Sequence, residues 1–197
     1  DDKYLAEAAA THTRAKTYHD FRKMLEQKDL DAIVVGTPDH THAVAAVAAL
    51  RTGRHVYCEK PLARTISEVR AITNAAKETG KVTQIGTQIH STTNYRRVVE
   101  LVRSGAIGKV SEVHVWVGGG RGGKELPARP EEIPSHLNYD LWLGPVPEVP
   151  YSSQYVPKNW RDWWMFSGGQ LGDFGCHYMD LPFWALDLKY PLTVESE

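Results

Sequence analysis

The sequence predicts an α/β fold: half of a doubly wound parallel sheet over residues 1–88, then over residues 89–197 the start of a second α/β unit. Three observations carry this. Short apolar runs at residues 32–36, 55–58 and 82–86 alternate with helical patterns of 11 and 14 residues. Such spacing calls for right-handed crossovers between parallel strands. After Gly86 the pattern changes: residues 110–117 alternate with period two and place Glu112 and His114 on one face, as in a strand of a sheet covered on one side only. Finally, a chain of 197 residues with 42% hydrophobic and 24% charged residues can bury an ordinary core.

In chain order, residues 4–16 have the Ala-rich pattern of the middle of a helix, and Asp20 can cap a second one running through Met24 and Leu25. The run Ala-Ile-Val-Val-Gly at 32–36 has buried-strand character. A helix over 41–51 is closed by Gly53, a strand follows at 55–58, and an amphipathic helix over 66–79 is closed by Gly80 before the strand at 82–86. A helix is expected over about 93–104, then the alternating strand at 110–117. Residues 118–160 have loop character, with five of the sixteen glycines at 118–123 and seven of the eleven prolines from Pro127 to Pro157. Ordered loops of such length are more often functional than idle. A last helix starts near Gly172 and runs towards Leu186, disturbed at Pro182. Residues 190–197 are strand-like. The chain opens on Asp1 without an initiator Met and stops without a cap, so we expect a fragment of something longer, whose compartment is open and cytoplasmic only by default.

Several function classes are excluded. Twenty-three Lys and Arg balance 24 Asp and Glu with no long run of one sign, which argues against nucleic-acid or polybasic membrane binding. The longest apolar run, residues 43–50, is far short of the ~20 residues that cross a bilayer. Cys58 and Cys176 form no CxxC pair, so neither a disulfide framework nor a zinc ribbon is expected.

The candidate chemistry lies at strand ends and in the last helix. Residues 118–123 satisfy GxGxxG, yet the three prolines that follow cannot supply the helix that would receive a pyrophosphate, and we read a flexible loop. Thr37, Pro38, Asp39, His40, Thr41 and His42 follow the 32–36 strand at the carboxyl edge of the sheet, where ligands bind. A turn with Asp39 or Thr41 capping the next helix is the competing interpretation. Glu59, Lys60 and Pro61 end the next strand at the same edge, so two strands deliver polar groups to one cleft, and a Lys there can serve proton transfer. Asp173, His177 and Asp180 stand at i, i+4 and i+7 on one helical face. An imidazole between two carboxylates is an acid/base unit. A cap with solvated charges is the plainer reading, and a metal would need further ligands. Trp160, Trp163 and Trp164 read as core or interface, with Arg161 able to clamp a phosphate or carboxylate.

The order and spacing of Thr37-Pro38 to His42, Glu59-Lys60-Pro61, Gly86-Thr87-Gln88, Trp160-Arg161, and Gly172-Asp173 to His177 and Asp180 resemble the Gfo/Idh/MocA oxidoreductases. The resemblance covers essentially the whole chain. It implies a truncated Rossmann-type domain for NAD or NADP, residues 1–88, and the start of an α/β domain with an open, mainly antiparallel sheet, residues 89–197. It also implies hydride transfer from a hydroxyl-bearing carbon of a sugar or cyclitol, and a homo-oligomer assembled through the open sheet. By position, Lys60, Asp173 and His177 match the catalytic and substrate-contacting residues, with His177 as base. Thr37, Pro38, His40, Glu59, Lys60 and Gln88 match cofactor-side positions, and Trp160 and Arg161 a pair that reaches the cofactor. The glycine loop of the family would precede residue 1, so the isolated segment is expected to be inactive. An NAD-recycling glycosidase and a non-catalytic sensor are the other activities the resemblance allows.

Overall fold

A computed structural model describes residues 1–195. Helices α1 (Asp2–Thr11) and α2 (Phe21–Met24) precede β1 (Ala32–Val35), α3 (Asp39–Arg51), β2 (His55–Glu59), α4 (Ile66–Thr79), β3 (Thr83–Gly86) and α5 (Thr93–Arg103). Short elements follow: α6 (Tyr139–Leu143), a π-helical turn at Leu171–Gly175, α7 (Cys176–Tyr178) and α8 (Asp180–Ala185).

The three strands form one parallel sheet in the order β1-β2-β3, with Val35 opposite Cys58 and Glu59 opposite Gly86. Both crossovers advance in the same direction, so the right-handed rule puts α3 and α4 on the same face. Ile33, Val35, Val56 and Cys58 point at these helices and pack with Ala46, Leu50, Ile72 and Ala75. The other face is open where described, and Val34 is 73% exposed. Local chemistry fixes the helix ends. Asp20 accepts from the Arg22 amide at the start of α2. Thr65 and Glu68 form a reciprocal capping box on α4, which Gly80 ends in the left-handed conformation.

A second core is aromatic. Tyr139, Tyr151, Tyr155, Trp160, Trp163 and Phe166 bury one another beneath the loops of residues 137–166. The two cores meet at the N-terminus of α3, where the wholly buried His40 packs its ring 5.1 Å from both Trp142 and Phe166.

Three expectations are corrected. Residues 110–117 form no strand, and Val113, Val115, Trp116 and Val117 are exposed; alternation alone makes no ladder, and no neighbouring strand among the described residues receives these amides. For the same reason residues 190–195 are irregular, with Leu192 and Val194 exposed, while the rest of that strand-like run, residues 196–197, lies outside the described residues. The open, mainly antiparallel sheet is therefore not formed by residues 89–195. Third, the glycine-rich loop is docked rather than loose. The Arg121 carbonyl accepts from the Gln170 amide at 2.9 Å, and a Cβ on Gly122 would stand 2.9 Å from Gly169 Cα, so only glycine permits this approach.

No helix among the described residues is long and apolar enough to cross a membrane.

Candidate active site

The site forms where the carboxyl edge of β1 and β2 meets the helical run 169–185. His42 ties the two strand ends together: it is buried, with Nε2 2.7 Å from the Thr37 carbonyl and Nδ1 2.8 Å from that of Pro61. The Lys60 backbone is thereby held close to the β1 end. The Lys60 ammonium then donates to the Asp173 carboxylate at 2.5 Å and to the Asp173 carbonyl at 2.6 Å, bridging 113 residues of sequence. Both side chains are largely buried, 15% and 12% exposed, so this ion pair is weakly screened.

Asp173 collects further cations. Its second carboxylate oxygen lies 3.7 Å from Nε of Arg121 and 3.7 Å from Nε of Arg161, outside hydrogen-bonding distance but within Coulombic reach. The Arg161 guanidinium also lies 4.1 Å over the buried Trp160 ring. On the other side Asp39, 4% exposed, accepts from the Ser167 hydroxyl at 2.7 Å. Burial pushes its carboxyl up from the ordinary value, with Ser167 and His42 acting against that. Asp39 is thus spent on Ser167, and the start of α3 carries no side-chain cap from Asp39 or Thr41.

His177 is buried one turn after Asp173, and its Nδ1 has no hydrogen-bond partner among the described residues. Burial and then the Lys60 charge pull its imidazole below the ordinary value, while Asp173 and Asp180 oppose them. The backbone carbonyl of His177 accepts from the Tyr95 hydroxyl at 3.0 Å, which fixes this turn against α5. The expected sandwich of His177 between two hydrogen-bonded carboxylates is not formed: Asp173 is taken by Lys60, and Asp180 by His90 Nδ1 at 2.8 Å. Pro182 lacks the amide that would bond the Tyr178 carbonyl, and the helix breaks at Met179, between His177 and Asp180.

The remaining candidates divide into exposed and sealed groups. Thr37, Glu59 and Gln88 are exposed at the strand ends and Pro38 is half-buried. A Cβ on Gly86 would run into the Glu59 carboxylate, so the bare Gly86 backbone makes room for that side chain. His40 is sealed from solvent, donating from Nε2 to the Trp142 carbonyl at 2.8 Å, and burial lowers its pKa. A cleft of about 960 Å³ opens on the other side of the β1 end, between α1, α2, α3 and residues 137–145, with Thr37, Pro38 and Thr41 in its wall. No group of three His, Cys, Asp or Glu placed to hold a metal ion occurs among the described residues. Sequence reasoning missed Tyr95, Ser167 and Arg121. The first two had no signal, and Arg121 lay inside the glycine run that fixes its loop.

The chain is similar to known proteins. Residues 2–87 match the family described as oxidoreductase family, NAD-binding Rossmann fold, and residues 91–197 match its C-terminal alpha/beta domain. An inositol 2-dehydrogenase of Salmonella typhimurium is 33% identical over 57% of this chain and 32% of its own length. A levoglucosan dehydrogenase of Pseudarthrobacter phenanthrenivorans is 33% identical over 53% of this chain and 27% of its own. The chain thus matches about a third or less of the length of these curated relatives. The crystal structure of an oxidoreductase domain protein from Kribbella flavida superposes on 95% of this chain and 43% of its own with a TM-score of 0.62 at 28% identity. With both family domains matched along it, the chain belongs to the Gfo/Idh/MocA oxidoreductase family.

Proposed function

We propose that the whole protein is a nicotinamide-dependent dehydrogenase that removes a hydride from a hydroxyl-bearing carbon of a sugar or cyclitol. The observation that carries this reading is the Lys60–Asp173 ion pair at the sheet's carboxyl edge with His177 one turn away. Residues 1–88 would belong to the nucleotide-binding domain and residues 89–197 to the substrate domain. The names of the inositol and levoglucosan relatives support the substrate class.

The exposed Thr37, Glu59 and Gln88 and the half-buried Pro38 fit a polar ligand laid along the strand ends. They would hold NAD or NADP, with Arg161 reaching it and the buried Trp160 ring supporting that guanidinium from the aromatic core. His40 is enclosed and would support that wall rather than touch the ligand. When bound, the nicotinamide supplies the hydride acceptor.

The chain's own residues handle the proton. Lys60, aimed by Asp173, donates to the substrate hydroxyl oxygen and orients it. His177 takes the hydroxyl proton, and burial favours the neutral imidazole that this task needs. Its Nδ1 is sealed off, so the proton is taken at Nε2. The exposed Val113, Val115 and Trp116 support assembly of a homo-oligomer through this part of the C-terminal domain.

Steady-state formation of reduced nicotinamide by the full-length protein, with NAD and NADP over a panel of cyclitols and sugars, tests the reading. Lys60→Met should lower kcat about 100-fold or more. A Lys60→Met enzyme with wild-type kcat would overturn the role given to Lys60.

A further inference from the structure

Arg121 is a cation the mechanism leaves without a counterpart. Its side chain is two-thirds covered, 32% exposed, in a loop fixed by glycine contacts. Its guanidinium makes no hydrogen bond within the described residues: Asp173 is 3.7 Å away and Asp162 3.9 Å. Neither carboxylate has charge to spare. Asp162 is taken by Lys124 at 2.8 Å and Asp173 by Lys60 at 2.5 Å. Among Lys60, Arg121, Arg161 and Asp173, three positive charges face one negative charge. His177 adds no negative charge, and even with the Asp39 carboxylate counted, three positive charges face two negative ones.

The arginine is also held in place. The Arg121 carbonyl is bonded to the Gln170 amide at the start of the helical run that carries Asp173 and His177, so the guanidinium and the proposed base ride on one support. A planar fork with five donors, held near the reacting centre and making no hydrogen bond among the described residues, is matched by a carboxylate or phosphate. A neutral polyol would leave that fork unpaired.

We propose that Arg121 is a specificity residue that binds an anionic group of the substrate, so that the protein acts on an acidic sugar or cyclitol rather than a neutral one. The inference rests on the dehydrogenase reading for what happens to the bound molecule. The anion subsite itself stands on the charge arrangement. A phosphate of the cofactor is the other source of the same chemistry, and the experiment separates the two.

The test is calorimetric titration of the full-length protein, saturated with NAD, at fixed ionic strength. The probes are glucuronate against glucose and galacturonate against galactose. The acid of at least one pair should bind at least about tenfold more tightly than its neutral partner. Arg121→Gln should abolish that preference while leaving the affinity for NAD unchanged, and Arg121→Lys should keep part of it. The loop is held through the Arg121 backbone, so these side-chain changes leave its docking intact. Failure of every acid to bind better than its neutral partner, or a preference that survives Arg121→Gln, overturns the inference. So does a loss confined to NAD binding, which assigns Arg121 to the cofactor. Hydride transfer is scored separately. Acid binding lost in Arg121→Gln without turnover of any probe would sink the dehydrogenase reading and leave the anion subsite in place. Equal turnover of acid and neutral partners would do the reverse.

Discussion

Removing either member of the Lys60–Asp173 pair should damage the fold unequally, and the inequality follows from the surrounding charges. In Lys60→Met the Asp173 carboxylate still has Arg121 and Arg161 within 3.7 Å. It remains compensated, and the cost should be about 1–3 kcal/mol, the scale of a lost charge-assisted hydrogen bond. In Asp173→Ala the three cations lose their shared carboxylate, and Lys60 keeps only the backbone carbonyl of residue 173. Removing one partner of a largely buried pair costs about 3–5 kcal/mol. The double variant should cost less than the two singles together, by about 1–3 kcal/mol, because the groups are in contact. Urea denaturation with linear extrapolation measures all three, the comparison holding where the m-value is unchanged. Lys60→Met costing as much as Asp173→Ala, or strict additivity in the double variant, would mean that Arg121 and Arg161 do not compensate Asp173.

Two further predictions concern pH. If His177 is the base it must be neutral, so kcat/KM should fall on an acid limb below the ordinary imidazole value of 6.5, the side to which burial moves this ring. Asp173 favours the charged imidazole, so Asp173→Asn should move that limb to still lower pH, and a limb that stays or moves upward would contradict the pairing. Burial favours the neutral form of His40 and lowers its pKa from 6.5. The unfolded chain then binds the extra proton in the window between the lowered folded value and 6.5, so stability is lost as pH falls through that window. His40→Ala should cost about 2–4 kcal/mol through the cavity left against Trp142 and Phe166 and should flatten the pH dependence in denaturation curves; an unchanged slope would contradict a buried neutral ring.

What was legible in the sequence is what local chemistry decides. The helix over Ile66–Thr79 was closed by Gly80, and the three apolar runs became the parallel strands. The alternation at 110–117 misled because a strand is a property of two chains of amides, and only one is written in the local pattern. The face of Asp173, His177 and Asp180 was visible as helical spacing, but their partners come from far away. Lys60 and His90 reach them across 113 and 90 residues. Spacing along a helix has no information on such contacts. The loop at Arg121 was read as flexible since glycine signals freedom and close approach alike. Gly122 against Gly169 is the second case.

We propose that Lys60, Asp173 and His177 serve hydride transfer from a carbinol carbon. The most direct measurement follows deuterium from that carbon in the full-length protein, first with wild type and then with His177→Ala, by mass spectrometry of the reduced cofactor. Wild type should deliver the label to the nicotinamide ring, and His177→Ala should do so at least about 100-fold more slowly. Label released to water, or delivered at the wild-type rate without His177, would contradict it.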